Sequence, residues 1–173
     1  DTVITDHHQC PEILPDAVAV INPHRADCGY PYKDLAGVGV AFKLICALEL
    51  ARENDGKYNL DTVKDMCRSY ISLAAIGTIA DVMPVTGENR IIIHIGLGLL
   101  RGTEDVSMKS LLCAAGIETD SGRNRKSVLK RISVSSIAFG VAPRINAAGR
   151  MGDAGRAVQL FMTESPMLAD AIA

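Results

Sequence analysis

Between residues 71 and 80 the chain reads ISLAAIGTIA, ten positions without a charge. A helix that is apolar on every side has no face to give to water, so other elements must cover it from several directions. The pattern runs over 61–79, with Asn59 or Asp61 as the cap. The charge-free stretch ends abruptly at Asp81, which opens the loop DVMPVTGENR. A chain with such a helix needs layers around it.

The other elements supply them. Residues 2–5 and 17–21 (AVAVI) are rich in Val and Ile and bounded by Pro and polar residues, which predicts two short buried strands. HHQCPEILPD is the loop between them. In VGVAFKLICALELARENDG, the positions Val38, Phe42, Ile45, Leu48 and Leu50 fit a helix ending at Gly56. RIIIHIGLGLL fits helix or strand by pattern, and GENR before it favours helix. Further helices are expected near 105–115 and 133–141, and over most of 153–173, with Pro166 near a helix start. Early strands with helices throughout indicate an α/β layer structure with a parallel sheet, its C-terminal part mostly helical.

At 173 residues, with 48% hydrophobic and 22% charged residues, the chain suits one globular domain with an adequate core. No apolar run reaches membrane-spanning length. The chain opens on an Asp almost inside a strand and stops in mid-pattern at MLADAIA, so it reads as a piece truncated at both ends. Cys10, Cys28, Cys46, Cys67 and Cys113 form no C-x-x-C pair, which argues against a zinc ribbon or a disulfide scaffold and for a reducing cytoplasm. Cys46 and Cys67 fall in helical patterns as small hydrophobes.

Three stretches carry chemistry. The first is TVITDHHQCP at residues 2–11, where a hydrophobic strand runs into Asp6, His7 and His8. In open parallel sheets ligands bind at the carboxyl ends of strands. Imidazole and carboxylate suit Mn²⁺, Fe²⁺ or Zn²⁺, and carboxylate also suits Mg²⁺. Adjacent residues of an extended segment point opposite ways, so the three are not expected to hold one ion alike. A polar strand end is the plainer reading of the triplet. The second is Asp81, which at the exit of a buried element needs a cation or several donors; an N-cap or turn aspartate stabilised by backbone N–H groups is the alternative. The third is APRINAAGRMGDAGR (142–156), a Pro/Gly-punctuated stretch leading into a helix, in which Arg144 and Arg150 offer forks for phosphate; a plain inter-helix turn is its alternative. From Ser121 to Gly152 there are seven basic residues (Arg123, Arg125, Lys126, Lys130, Arg131, Arg144, Arg150) and no acid. The rest of the chain sets 11 basic against 20 acidic residues, and the chain as a whole carries −2. Such asymmetry indicates a local anion-binding surface, or, around SGRNRK, a solvated loop.

Taken in order, DHH after a hydrophobic strand, INPHRADCGYPYKDLAGVGVAFKL, GTIADVMP and PRINAAGRM resemble the DHH phosphoesterase superfamily, and more closely its single-strand-specific 5′→3′ exonucleases. The resemblance spans essentially the whole chain. It implies that residues 1–152 are the C-terminal portion of a DHH catalytic domain, and that 153–173 begin a helical connector to a DHH-associated domain. It implies that His7 and Asp81 are metal ligands, that His8 faces the phosphate and protonates the leaving oxygen, and that Asp6 orients or ligates. Arg144, Asn146 and Arg150 match the stretch expected near nucleic acid. The family's two-metal centre, with Mn²⁺ or Mg²⁺, draws most of its carboxylates from an upstream D-x-D motif and a further Asp, neither of which is in this chain. The resemblance thus implies a cytoplasmic parent enzyme acting on single-stranded DNA in repair and recombination, with the chain by itself inactive. The rivals are a small-substrate phosphodiesterase cutting oligonucleotides or cyclic dinucleotides, and a non-catalytic nucleic-acid-binding relative. PRINAAGRM and the +7 segment speak against the first, and the intact His7, His8 and Asp81 against the second. Base-stacking aromatics are scarce, with four Tyr, three Phe and no Trp.

Overall fold

In the computed structural model of the chain, the charge-free stretch forms the second half of helix α2 (Leu60–Ala80). The structure describes residues 1–54, 59–117, 132–150 and 154–173. The expected helix end at Gly56, the start of the connector at Asp153, and the basic residues Arg123, Arg125, Lys126, Lys130 and Arg131 lie outside the described residues. The chain divides into two compact units, Asp1–Ile95 and Gly96–Ala173.

In the first unit, strands β1 (Val3–Thr5) and β2 (Ala19–Ile21) pair in parallel, with Ile4 opposite Val20. The ladder is continued at either end by the Val18 amide on the Thr2 carbonyl and the Asp6 amide on the Ile21 carbonyl. The expected burial of these strands is corrected: Val3 and Val18 are exposed, and Ala19, Val20 and Ile21 are only half-buried. Among the described residues the sheet has two strands, so part of its apolar surface has no covering layer there. The alternating Val and Ile encode a surface suited to burial, but partner elements decide whether it is buried.

Helix α1 (Gly37–Asn54) lies against α2. Leu35, Val40 and Phe42 meet Ile71, Ala74, Ala75 and Ile92 in one buried cluster, with Ile21, Val38, Cys46 and Cys67 packed on its margin. Each large apolar side chain covered here contributes about 1.5–3 kcal/mol. Cys46 and Cys67 are free thiols, and burial pushes both up from the usual thiol range, as befits small hydrophobes. Asn59 caps α2 by accepting from the Asp61 and Thr62 amides. In α2 the side chains of Ile71, Ala74, Ala75, Ile76, Thr78 and Ile79 are all buried. The Thr78 hydroxyl is satisfied within the helix, donating to the Ala74 carbonyl at 2.7 Å. The segment after α2 leads into α3 (Gly87–Arg101), so the ambiguous IIIHIGLGLL run is helical.

The second unit is helical. It contains α4 (Val106–Ala114), capped by Asp105, a short helix α5 (Val134–Ser136), α6 (Ala142–Arg150), α7 (Ala154–Met162) and α8 (Pro166–Ile172), capped by Ser165. Ser107 of α4 donates to the Leu160 carbonyl at 2.5 Å, filling an acceptor that the end of α7 leaves open. Ser110 donates to Asp170 of α8 at 2.5 Å. One expectation changes here. The stretch 142–150, with its Pro143 and Gly149, is helix and not a loop leading into one. A π-helical segment, Ile137–Val141, joins α5 to α6. Its wider turn accommodates a proline, which has no N–H to give and crowds the carbonyl four residues back in a regular helix.

Helices α1 and α2 approach closely at Gly77. A Cβ built on Gly77 would stand 2.7 Å from Val38 Cγ1 and 3.1 Å from its Cβ, too close for either backbone to stay where it is. Alanine favours a helix over glycine by about 1 kcal/mol, but overpacking a filled contact costs about 1–3 kcal/mol. Gly77→Ala is therefore expected to lower the urea midpoint of unfolding, followed by far-UV circular dichroism. A raised midpoint would show that the helices separate at little cost.

Candidate metal and phosphate site

The carboxyl end of β1 does not stay extended. The Asp6 carboxylate accepts the amides of His7 (2.7 Å) and His8 (3.2 Å) through Oδ1, folding the triplet into a tight turn. The same oxygen accepts from His8 Nδ1 at 2.8 Å. This corrects the expectation that the three side chains point apart: one ligand-capable atom of each of Asp6, His7 and His8 lies within 4.8 Å of the others. The His7 and His8 rings stand 4.3 Å apart, tilted by 47°. The hydrogen bond from His8 holds the Asp6 carboxyl below the usual carboxylate range, with slight burial opposing it.

His7 turns inward and its side chain is 14% exposed, whereas that of His8 is 76% exposed. The space for His7 is made by Gly37, the first residue of α1, where a Cβ would stand 3.3 Å from His7 Cδ2. Buried Asn22, just after β2, fixes the far side of the turn: its Nδ2 donates to the His8 carbonyl at 2.9 Å, and its Oδ1 accepts the His24 amide at 2.8 Å. Neither Gly37 nor Asn22 stands out in the sequence. INPH offered the one local signal, an Asn at a strand end before a proline.

Asp81 faces His7, with Oδ2 3.4 Å from Nε2. It is the C-cap of α2, not an N-cap. The turn that ends the helix is a Schellman motif: the Val82 amide bonds the Ile79 carbonyl at 3.1 Å and the Met83 amide the Thr78 carbonyl at 3.3 Å. That motif asks for a left-handed residue after the cap and normally uses glycine. Here Val82 takes φ +57°, with its side chain out in solvent. A carboxylate at a helix C-terminus also stands at the negative end of the macrodipole. The dipole disfavours an anion there, and a cation between His7 and Asp81 would answer it. The donor set fits one: ligands bound at about 2.1 Å stand roughly 3.0–3.4 Å apart in octahedral or tetrahedral arrangements, against the 3.4 Å found.

The loop after Asp81 is held at several points. Tyr32 Oη donates to the Thr86 carbonyl at 2.9 Å, and its ring lies where a Cβ on Gly87 (φ +45°) would fall. Glu88 takes a short hydrogen bond from Tyr30 and an ion pair from Lys43 Nζ at 2.5 Å. Burial alone would raise the Glu88 carboxyl, but these two partners outweigh it and hold it below its usual range. Lys43 is correspondingly raised: burial opposes its charge, and Glu88 and Tyr30 more than offset that.

Arg144, Asn146 and Arg150 all lie exposed on α6 of the second unit. At 100° per residue, Asn146 and Arg150 stand about 40° apart on one face, with Arg144 on roughly the opposite one. Arg144 Nη1 donates to the Gly140 carbonyl at 2.6 Å, at the edge of the π-helical segment. Arg144 and Arg156 also line a cavity of about 390 Å³ with Leu111, Ile145 and Phe161.

Residues 1–78 match the model of the DHH family, N-terminal domain. Over all 173 residues the chain is 39% identical to the single-stranded-DNA-specific exonuclease RecJ of Bacillus subtilis, of which it covers 19%. It is 36% identical over 165 residues, 94% of the chain, to RecJ of Escherichia coli, covering 27% of that protein. Its structure superimposes on that of RecJ in complex with Mn²⁺ from Thermus thermophilus with a TM-score of 0.73 and 32% identity, over 98% of this chain and 22% of that one. The Mg²⁺ complex from the same organism gives 0.68 and 31%, with the same coverage. Residues 1–78 belong to the DHH family, N-terminal domain, and the chain has an α/β fold like that of the matched part of RecJ. Within the family it is similar to the RecJ exonucleases and spans about a fifth to a quarter of the length of these relatives.

Two outcomes follow. Val82→Gly removes a left-handed β-branched residue, which costs roughly 1–2 kcal/mol. It is expected to raise the chain's thermal midpoint, and an unchanged midpoint would mean that Val82 is unstrained. For Glu88 the lowered carboxyl contributes stability above its ordinary pKa of about 4.3, lost as pH falls through the folded value; the raised Lys43 contributes below about 10.4, lost as pH climbs past its folded value. The stability gap between wild type and Glu88→Gln should thus be level between about pH 6 and 8 and shrink below about pH 4. A gap that widens on acidification would reverse the assignment.

Proposed function

We propose that the chain forms part of a divalent-metal-dependent phosphodiesterase, a 5′→3′ exonuclease of single-stranded DNA serving repair and recombination. The observation that carries this reading is the His7–Asp81 pair, a nitrogen and an oxygen 3.4 Å apart with the carboxylate at the negative end of α2. RecJ relatives similar along the whole chain, with structures in complex with Mn²⁺ and Mg²⁺, support it.

His7 and Asp81 would hold a Mn²⁺ or Mg²⁺ ion, which when bound would supply charge stabilisation for a phosphodiester and a water activated at neutral pH. His8 does the proton work. Asp6 keeps Nδ1–H of His8 engaged, which directs Nε2 outward from a ring largely open to solvent. In the imidazolium form Nε2 gives its proton to the leaving oxygen, and the Asp6 carboxylate stabilises that charged form. Asp6 is thus an orienting residue, its Oδ1 already taken by three donors. Asn146 and Arg150, on one face of α6, contact the strand backbone, and Arg144 reaches it from another side, which makes binding salt-dependent. A two-metal centre needs more carboxylates than the described residues bring to this corner, so the chain alone is expected to be inactive. Among the described residues no helix is long and apolar enough to cross a membrane, and five free thiols suit a cytoplasmic setting.

The test uses the full-length parent protein with Mn²⁺, offered a 5′-labelled long single strand and a dinucleotide. The labelled strand should be shortened from its 5′ end, and cleavage of the dinucleotide alone would replace the reading by a small-substrate phosphodiesterase. His7→Ala and Asp81→Asn should each cut kcat by more than about 100-fold, beyond the usual effect of a residue that only supports a ligand. Strand affinity should change little. Full activity in either variant would remove that residue from the metal site.

A further inference from the structure

Asn89 stands apart from every residue discussed as a ligand, yet it is 0% exposed. Its Nδ2 donates to the Asp34 carbonyl at 2.6 Å and to the Pro84 carbonyl at 3.0 Å. Those carbonyls belong to the two segments that end at the two halves of the site. Asp34 is three residues before Gly37, against which His7 packs, and Pro84 is three residues after Asp81. One amide group therefore ties the approach to α1 to the exit from α2. Asn89 Oδ1, buried with it, has no partner among the described residues. An orphaned buried acceptor is a stability cost, so the side chain's contribution at this place is its two donated bonds.

Asn89 acts on a loop that is already stiff. Tyr32 bonds the Thr86 carbonyl at 2.9 Å, its ring fills the space above Gly87, and Glu88 is held by Tyr30 and Lys43. Between Asp81 and Pro84 the Val82 and Met83 amides are bonded back to the Ile79 and Thr78 carbonyls, and Leu35 and Ala36, between Asp34 and Gly37, are buried, so a change at Pro84 or Asp34 passes to Asp81 and Gly37.

We infer that Asn89 is a positioning residue for the metal-holding pair, setting the separation of His7 and Asp81 through the Asp34 and Pro84 carbonyls without touching metal or substrate. The inference rests on the proposed metal site. Supporting groups of this kind typically change metal affinity by about 10- to 100-fold when removed.

The experiment uses the full-length parent protein and reads Mn²⁺ binding directly, from loss of the free-ion electron paramagnetic resonance signal, alongside kcat and KM on a labelled single strand. Asn89→Asp keeps the shape and removes the donors. It should weaken Mn²⁺ binding and lower kcat by about 10- to 100-fold, leaving KM for the strand within about twofold. A cooperatively melting variant with wild-type Mn²⁺ affinity would overturn the inference. If Asn89→Asp does not fold, Asn89→Ser decides, since it removes both amide-donated bonds without adding a buried carboxyl. It should weaken Mn²⁺ binding by about 10-fold or more, and unchanged affinity overturns the inference. Loss of Mn²⁺ binding in His7→Ala with none in Asn89→Asp would defeat the positioning role alone. A wild-type protein that neither holds Mn²⁺ nor shortens the strand would bring down the metal site and this inference together.

Discussion

The separation of His7 and Asp81 depends on the contact of α2 with α1 at Gly77. Val38, whose methyl groups occupy the space a Cβ on Gly77 would need, directly follows Gly37, the residue that makes room for the His7 ring. Gly77 lies one helical turn before Asp81, and its carbonyl accepts the Asp81 amide at 2.9 Å. The backbones of the two helices thus meet one residue from one half of the site and one turn from the other. Any side chain larger than hydrogen at 77 would move α2, and Asp81 with it, away from α1. The apolar burial of Ile71, Ala74 and Ala75 drives the helices together; the missing Cβ sets how far.

Upon that frame the site collects features that a fold optimised only for stability would avoid. A carboxylate sits at the negative end of a helix dipole, a valine takes a left-handed backbone, a buried asparagine keeps an unpartnered oxygen, and an exposed histidine is bonded to an aspartate that already holds two amides. Strained or electrostatically unfavourable groups persist where the surroundings over-determine them. Here the surroundings are the Schellman turn, the Asn22 bonds and the clamp of Tyr30, Tyr32, Lys43 and Glu88. They stand on both sides of the His7–Asp81 pair.

Much of this was legible in the residues. The charge-free run 71–80 announced a helix covered on several sides, and its abrupt end marked Asp81. DHH at a strand end marked the other half, and the caps at Asn59, Asp105 and Ser165 lie where local hydrogen-bonding chemistry puts them. The misreadings have physical causes. The two strands carry the Val and Ile of a buried sheet, but burial is a property of neighbours, and Val3 and Val18 are exposed. The stretch at 142–150 contains Pro and Gly, which punctuate most helices, yet a π-helical segment before it gives Pro143 the room it needs. The arginines of that stretch were grouped by sequence, and the helical repeat separates Arg144 from Arg150.

What the sequence determined by itself was the set of elements and the identity of the polar groups at their ends, because propensity, capping and hydrophobic period are local properties. Tertiary structure alone decided distances. His7 reaches Asp81 across 74 positions because two glycines, Gly37 and Gly77, allow close approach at places where no pattern called for them. Asn22 and Asn89 act through backbone carbonyls of distant segments, and a carbonyl leaves no trace in a sequence.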